Sequence, residues 1–87
     1  MLVRYFAAAS AATGVEEEHL EVPPGTTLGT LEQLLTERHP SAPDGELALA
    51  QVLTRCSFLR NGVATTDRSR VLDADDSIDV LPPFAGG

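Results

Sequence analysis

The chain has 87 residues, and its thirteen acidic and six basic side chains give a net charge of −7. This length allows one domain and excludes a second, and the charge argues against a nucleic-acid partner, because a phosphate backbone would be repelled. No apolar run approaches the roughly 20 residues of a membrane helix, so no membrane association is predicted. The first six residues alternate like a strand and lack the features of a secretory signal, so a cytoplasmic location is predicted.

One cysteine, Cys56, excludes an internal disulfide and a cysteine-rich metal site. It falls in a predicted strand, which favours a small buried hydrophobic role. His19 and His39 stand far apart in sequence and are predicted to lie at the surface, so the chain is expected to bind no metal. All six bases are arginine. The absence of lysine has two possible explanations, a codon bias toward arginine or the protection of an activated C-terminus from reaction with amines.

The first quarter of the chain predicts two antiparallel strands. Residues 1–7 alternate in the period of a strand and are rich in β-branched and aromatic side chains. A stretch of small residues, 8–14, connects them and ends at a glycine. Residues 17–22 alternate again as the second strand, and the Pro-Pro-Gly at 23–25 ends it, because proline cannot donate to a strand ladder.

The middle of the chain predicts the main helix. Thr27 is its predicted N-cap, and the helix is expected to end at His39, because Pro40 disfavours helical geometry there. The apolar side chains at a spacing of three and four residues are Leu28, Leu31, Leu34 and Leu35. After a loop, residues 46–53 fit a short helix or a covered strand, and the helix is preferred. Its apolar side would hold Leu47, Ala50 and Leu53.

The last third predicts strands joined by tight turns. Residues 54–60 form a strand, Asn61-Gly62 is a strong two-residue hairpin signal, and residues 63–65 are the return strand. A turn at 73–76 leads into the final strand at 77–81. The predicted domain therefore spans residues 1–81.

An extended tail, residues 82–87, follows that strand and carries the most informative pattern. Two prolines hold it extended, so its six residues reach about 20 Å. The final glycines have no side chains, so a narrow partner channel would admit the terminal carboxylate to a nucleotide. The alternative is a frayed chain end or appended glycines. The tail reads Pro82, Pro83, Phe84, Ala85, Gly86 and Gly87.

These features together resemble the MoaD/ThiS family of ubiquitin-like sulfur carriers, and most of all its molybdopterin synthase small-subunit branch. The resemblance covers nearly the whole chain, and its specific part is the tail. The other matching segments are residues 3–7, the turn 24–28 into the leucine-faced helix, and Asn61-Gly62. The resemblance implies an α+β β-grasp fold, a mixed sheet of four to five strands wrapped on one main helix. The first and last strands would pair in parallel at its centre.

The resemblance also implies a mechanism in which the chain is a co-substrate and not an enzyme by itself. An E1-like adenylating enzyme would use ATP and magnesium to adenylate the Gly87 carboxylate next to Gly86. A sulfur donor such as a cysteine desulfurase or rhodanese-like protein would convert it to a thiocarboxylate. The tail would then enter the large subunit of molybdopterin synthase and give its sulfur to a pyranopterin precursor. No cofactor would be bound by this chain.

The same resemblance implies partner contacts along the base of the tail. The residues predicted to make them are Leu81, Pro82, Pro83, Phe84 and Ala85. Phe84 would enter an apolar pocket of the partner. The side chain of Leu81 is predicted to lie either in that pocket or in the domain's own core.

Other functions and two departures from the family pattern stay open at this point. In the first alternative, the carrier gives its sulfur to an acceptor of thiamine, cysteine or another biosynthetic pathway. In the second, the chain is a protein modifier joined to its targets through Gly87. In the third, it is a binding module with an inert tail. Asp75-Asp76 stands where the family usually has Gly-Asp, and Arg60 replaces a common apolar residue. These departures question one turn and the polarity of one sheet edge.

Overall fold

The computed structural model describes residues 1–83, which form five strands and three helices. Their bounds are β1 Leu2–Tyr5, α1 Ala8–Thr13, β2 Glu17–His19, α2 Leu28–Arg38, α3 Leu49–Leu53, β3 Ser57–Arg60, β4 Val63–Thr65 and β5 Ser77–Leu81. The helices of this part of the chain are too short and too polar to cross a bilayer.

The five strands form one mixed sheet in the order β2-β1-β5-β3-β4. The central strands β1 and β5 are parallel, in a register from Leu2 beside Ser77 to Tyr5 beside Val80. The remaining pairs, β1 with β2, β3 with β5 and β3 with β4, are antiparallel. The predicted α+β β-grasp fold is confirmed, including the parallel central pair that the family resemblance implied.

One face of the sheet packs against α2 and forms the core. Val3, Ile78 and Val80 are fully buried on this face because alternate residues of a strand point to the same side. From α2 the core receives Leu28, Leu31 and Leu35, each of them fully buried. A buried leucine side chain contributes about 2 kcal/mol, so these three anchor the helix on the sheet.

The ends of α2 lie where the sequence predicted them. The Thr27 hydroxyl accepts a hydrogen bond from the Thr30 backbone N–H at 3.1 Å, so Thr27 is the N-cap. At the other end His39 is the C-cap, and its N–H donates to the Leu35 carbonyl at 3.0 Å. Pro40 follows and stops further helix.

Two short helices differ from the sequence expectation in an informative way. Residues 8–14 were predicted only as a connection, yet Ala8–Thr13 forms α1, because alanine favours helix without giving an apolar period. Residues 46–53 do contain the preferred helix, but α3 starts only at Leu49. Its buried side therefore holds Leu49, Val52 and Leu53, and the predicted placement of Leu47 and Ala50 on that side is wrong.

His39 is not the surface residue that the sequence suggested. Its ring packs edge-on against Tyr5, with 5.9 Å between ring centroids, and its Nε2 lies 2.6 Å from Glu18 Oε2. Tyr5 donates its hydroxyl hydrogen to the same carboxylate at 2.6 Å, and Arg38 donates to the other oxygen. The edge strand β2 is thereby joined to the end of α2.

Burial and these partners shift the pKa values of the cluster. Burial, followed by the bond to Glu18, raises the pKa of Tyr5. Burial also acts to raise the pKa of Glu18, but hydrogen bonds from Tyr5, His39 and Arg38 prevail and lower it. The carboxylate of Glu18 is therefore ionised throughout the neutral range.

His19 and Cys56, the other two side chains considered as metal ligands, differ in how well their predicted positions agree with the structure. His19 is exposed, as predicted. Cys56 lies just before β3 and is half-buried, so its assignment to a strand was wrong and its burial is partial. Its thiol donates to the Val52 carbonyl, with Sγ to oxygen at 3.2 Å, and burial raises its pKa to about 11. The thiol is therefore protonated and unreactive at neutral pH.

One of the two departures from the family pattern, Arg60, belongs to a polar network at the start of β5, whereas Asp75, which stands in place of the usual glycine, is exposed outside it. Asp76 is only 5% exposed, and its Oδ2 lies 2.7 Å from Arg60 Nε. It also accepts hydrogen bonds from Asn61 Nδ2 and from the Asp73 backbone N–H, both at 2.8 Å. The Asn61 Oδ1 in turn accepts from the Ser77 N–H. Arg60 and Asp76 therefore compensate each other and fasten the Asn61-Gly62 hairpin to the last strand.

We expect Asp76→Ala to lower the free energy of unfolding by roughly 3 kcal/mol, because it leaves Arg60 without its buried partner. Asp75→Ala, at the exposed neighbouring position, is the matched control and should change stability by less than about 0.5 kcal/mol. Urea denaturation of both variants measures the difference. Equal losses would show that the network does not stabilise the fold.

The same network predicts a pH dependence. Burial acts to raise the pKa of Asp76, but the Asp73 N–H, Asn61 and Arg60 prevail and hold it below its ordinary value of 3.8. A carboxyl whose folded pKa is depressed stabilises the fold above the unfolded value and loses this contribution as the pH falls through the folded value. The stability gap between wild type and Asp76→Ala should therefore narrow below about pH 4.

Candidate functional site

The tail leaves the domain at one defined end of the sheet. β5 finishes at Leu81, which pairs with Ser57 at the beginning of β3. Because β1 runs parallel to β5, both strands finish at this end, and the Phe6 N–H donates to the Val80 carbonyl at 3.2 Å. Pro82 and Pro83 follow directly. We call this region, comprising Phe6, Ala7, Leu81, Pro82 and Pro83, the tail end.

The structure places three of the predicted site residues. Leu81 is half-buried and stands outside the core, Pro82 is buried and Pro83 is exposed. Sequence reasoning left Leu81 open between a partner pocket and the core, and its partial exposure leaves it able to contact a partner. The other predicted residues lie outside the described part of the chain. They are Phe84, Ala85, Gly86 and Gly87.

The sheet face opposite α2 is apolar close to the tail end. Phe6 is 41% exposed at this end and Leu81 is partly exposed beside it, while Leu59 near the middle and Leu2 at the far end are partly exposed on the same face by strand alternation and register. In their midst, Arg4 binds Asp79 through two hydrogen bonds, of 2.7 and 3.2 Å. The pair neutralises its own charges, so this face suits an apolar protein contact.

Phe6 and Ala7 are site residues that sequence reasoning did not single out. The alternation of Leu2, Arg4 and Phe6 was visible, and it is the signal that places Phe6 beside Leu81 on one face. Ala7 had no such signal. Its backbone, with φ 51° and ψ −124°, lies in a region that a residue with a Cβ rarely adopts.

The described residues offer binding surfaces more than catalytic groups. Within residues 1–83, no cluster of three or more histidine, cysteine, aspartate or glutamate side chains is arranged to hold a metal ion. The Cys56 thiol is protonated at neutral pH because its pKa is about 11.

Central parallel strands, with one main helix across one face, define a ubiquitin-like β-grasp domain. A family model, that of the ThiS family, matches residues 3–87. The chain belongs to this family.

Individual relatives agree with the family assignment. The chain is 31% identical to the molybdopterin synthase sulfur carrier subunit of Phaeosphaeria nodorum, over 98% of this chain and 88% of that protein. The subunit of the same name from Pyrenophora tritici-repentis is 28% identical, over 98% of this chain and 87% of that protein. Both matches span nearly the full length, so they include the tail end.

Solved structures agree with the fold. SAMP1 from Haloferax volcanii superimposes with a TM-score of 0.76 and 26% identity, covering 99% of this chain and 97% of that one. A chain from the complex of subunits 1 and 2 of molybdopterin-converting factor from Helicobacter pylori aligns with a TM-score of 0.65 and 24% identity, covering 99% of this chain and 96% of that one. The second likeness supports the fold alone.

We expect Ala7→Gly to stabilise the protein by about 1 kcal/mol, because glycine adopts this backbone conformation without steric strain and its added chain entropy offsets only part of the gain. Ala8→Gly is the matched control, since Ala8 is the first residue of α1 and glycine there should destabilise. Thermal unfolding of the two variants compares them. A loss of stability in Ala7→Gly would mean that Ala7 carries no strain.

Proposed function

We propose that this chain is the sulfur-carrier subunit of molybdopterin synthase, acting in the cytoplasm in the biosynthesis of the molybdenum cofactor. The observation that carries the proposal is the near-full-length similarity to two proteins of that name, together with a family match that reaches Gly87. The tail end supports it, because β5 holds Leu81 in the sheet and Pro82 and Pro83, which cannot donate to a strand ladder, follow directly.

The proposed chemistry takes place at the Gly87 carboxylate. A carboxylate oxygen attacks the α-phosphate of ATP, bound with magnesium by an E1-like enzyme, and pyrophosphate leaves. Sulfur from a donor, such as the persulfide of a cysteine desulfurase or rhodanese-like protein, then forms a C–S bond as AMP leaves. The product is an acyl disulfide with the donor, and a thiol then reduces its S–S bond, which leaves the thiocarboxylate on Gly87 and forms a disulfide. Hydrolysis returns the carboxylate once the sulfur has moved to the pyranopterin.

The described residues support delivery of this group to the large subunit of molybdopterin synthase. The apolar face around Phe6 and Leu81 would dock on the partner, and Phe84 would follow into its pocket. The net charge of −7 would speed the encounter with a basic channel mouth. Gly86 and Gly87 would then pass through the narrowest part of the channel. The carrier supplies the reacting atom, and its partners supply catalysis.

The first test is the intact mass of untagged protein incubated with an E1-like enzyme, ATP, magnesium and a sulfur donor. We expect a mass increase of one oxygen-to-sulfur exchange, located in the C-terminal peptide. A variant lacking Gly86 and Gly87 is the control and should stay unchanged. If the wild-type mass also stays unchanged while the enzyme thiolates another carrier, the proposed function fails.

A second test concerns docking. Phe84→Ala and Phe6→Ala should each weaken binding to the large subunit by about tenfold, since aromatic anchors dominate such interfaces. Neither should unfold the domain, because Phe6 is already 41% exposed and Phe84 lies beyond β5. Calorimetric titration measures affinity, and circular dichroism checks the fold. Affinity at the wild-type level would remove the substituted residue from the interface.

A second candidate function, modification of proteins through Gly87, is favoured by the structural similarity to SAMP1, a small archaeal modifier protein. Its signature would be adducts linked by isopeptide bonds to target lysines, detected in lysates under denaturing conditions. Complementation of strains that lack each carrier distinguishes molybdopterin from thiamine or other acceptors. Full activity after removal of Gly86 and Gly87 would indicate a binding module with an inert tail.

A further inference from the structure

A groove of about 460 Å³ lies beside the base of the tail, on the side of α3. Its lining includes Ala8, Leu47, Val52, Arg55, Pro82 and Pro83. Val52 is buried at its floor, whereas Leu47 has 60% of its surface exposed. Pro82 and Pro83 also line it, so the groove is adjacent to the base of the tail.

Arg55 gives the groove a positive charge that no carboxylate of residues 1–83 neutralises within 4 Å. Four arginines have a carboxylate of residues 1–83 within 4 Å, namely Arg4, Arg38, Arg60 and Arg68. Within the same residues Arg55 has no such partner, and it is exposed. In a chain with a net charge of −7, this leaves a guanidinium available beside an apolar groove, a combination that suits a carboxylate next to an apolar side chain.

We propose that this groove docks an acidic segment of the large subunit, which places a carboxylate on Arg55 and an apolar side chain between Leu47 and Val52. The inference rests on the proposed function, since it concerns the protein that receives the tail. The occupant is argued from charge complementarity and from continuity with the tail, through Pro82 and Pro83. A second copy of this chain is a poorer occupant, because two chains of charge −7 repel each other.

The opposite end of the molecule provides matched controls. Arg70 is also exposed and also has no carboxylate of residues 1–83 within 4 Å. Val63 is 69% exposed, slightly more than Leu47. Arg70 and Val63 line a different surface together with Arg60. Arg60 pairs with Ile78 near the start of β5, so this surface lies away from the tail end.

The test is a calorimetric titration of full-length variants with the large subunit. Arg55→Glu should weaken binding by about tenfold or more, and Leu47→Ala by about fivefold. Arg70→Glu and Val63→Ala should each stay within about twofold of wild type, and Arg55→Lys should retain most of the affinity. Circular dichroism confirms that each variant is folded. If Arg55→Glu and Arg70→Glu weaken binding equally, the change in net charge alone explains the loss of affinity and the proposal is overturned.

A photo-reactive phenylalanine analogue at position 47 identifies the occupant, with the same analogue at position 63 as its control. The expected adduct joins position 47 to a peptide of the large subunit that contains aspartate or glutamate. An adduct to residues 84–87 of the same chain, or to a second copy, would overturn the proposal. Wild type that does not bind the large subunit would refute the proposed function itself, whereas normal binding by both Arg55→Glu and Leu47→Ala refutes the groove alone.

Discussion

The parallel pairing of β1 with β5 is the constraint on which the rest of this structure depends. Two parallel neighbours cannot be joined by a tight turn, so a long excursion of the chain has to connect them. That excursion includes α2, which covers one face, and the β3–β4 hairpin, which extends the sheet on the far side of β5. Parallel pairing also brings the ends of β1 and β5 together, which is why Phe6 lies beside the base of the tail.

Two carboxylates, the buried one of Asp76 and the partly buried one of Glu18, complete the framework at different edges of this arrangement. Asp76 joins the Asn61-Gly62 hairpin to the start of β5, and Glu18 joins the edge strand β2 to the end of α2. Each carboxylate has several donors, so its burial is compensated by hydrogen bonds and opposite charge. Both are far along the chain from their partners, and each therefore stabilises a long-range contact that apolar packing alone would leave less defined.

Local signals with a strong physical cause were predictable from the sequence. Thr27 caps α2 because its hydroxyl accepts a hydrogen bond from a backbone N–H of the first helical turn, which has no partner inside the helix. Asn61-Gly62 forms the turn because both residues tolerate a positive φ. The short α1 was missed, since its alanines carry no period. The side of α3 that faces the core was misassigned, because the start of a five-residue helix cannot be fixed by spacing.

The candidate site was predictable in a different way. The tail was recognisable from its residue types alone, and the family match to residues 3–87 agrees with that interpretation. Long-range contacts were not, since His39 becomes half-buried only when Glu18 and Tyr5 meet it across 21 or more residues of chain. The groove with Leu47 and Arg55 likewise exists only after α3 and the tail base come together.

The position of β5 in the middle of the sheet has a mechanical consequence. A partner that draws the tail into a channel pulls on β5 along its own axis, and β5 is hydrogen-bonded to β1 on one side and to β3 on the other. Such a load acts on both ladders in shear, so their bonds have to break together and not one after another as in peeling of an edge strand. The domain can therefore be held by its tail and released again without being unravelled.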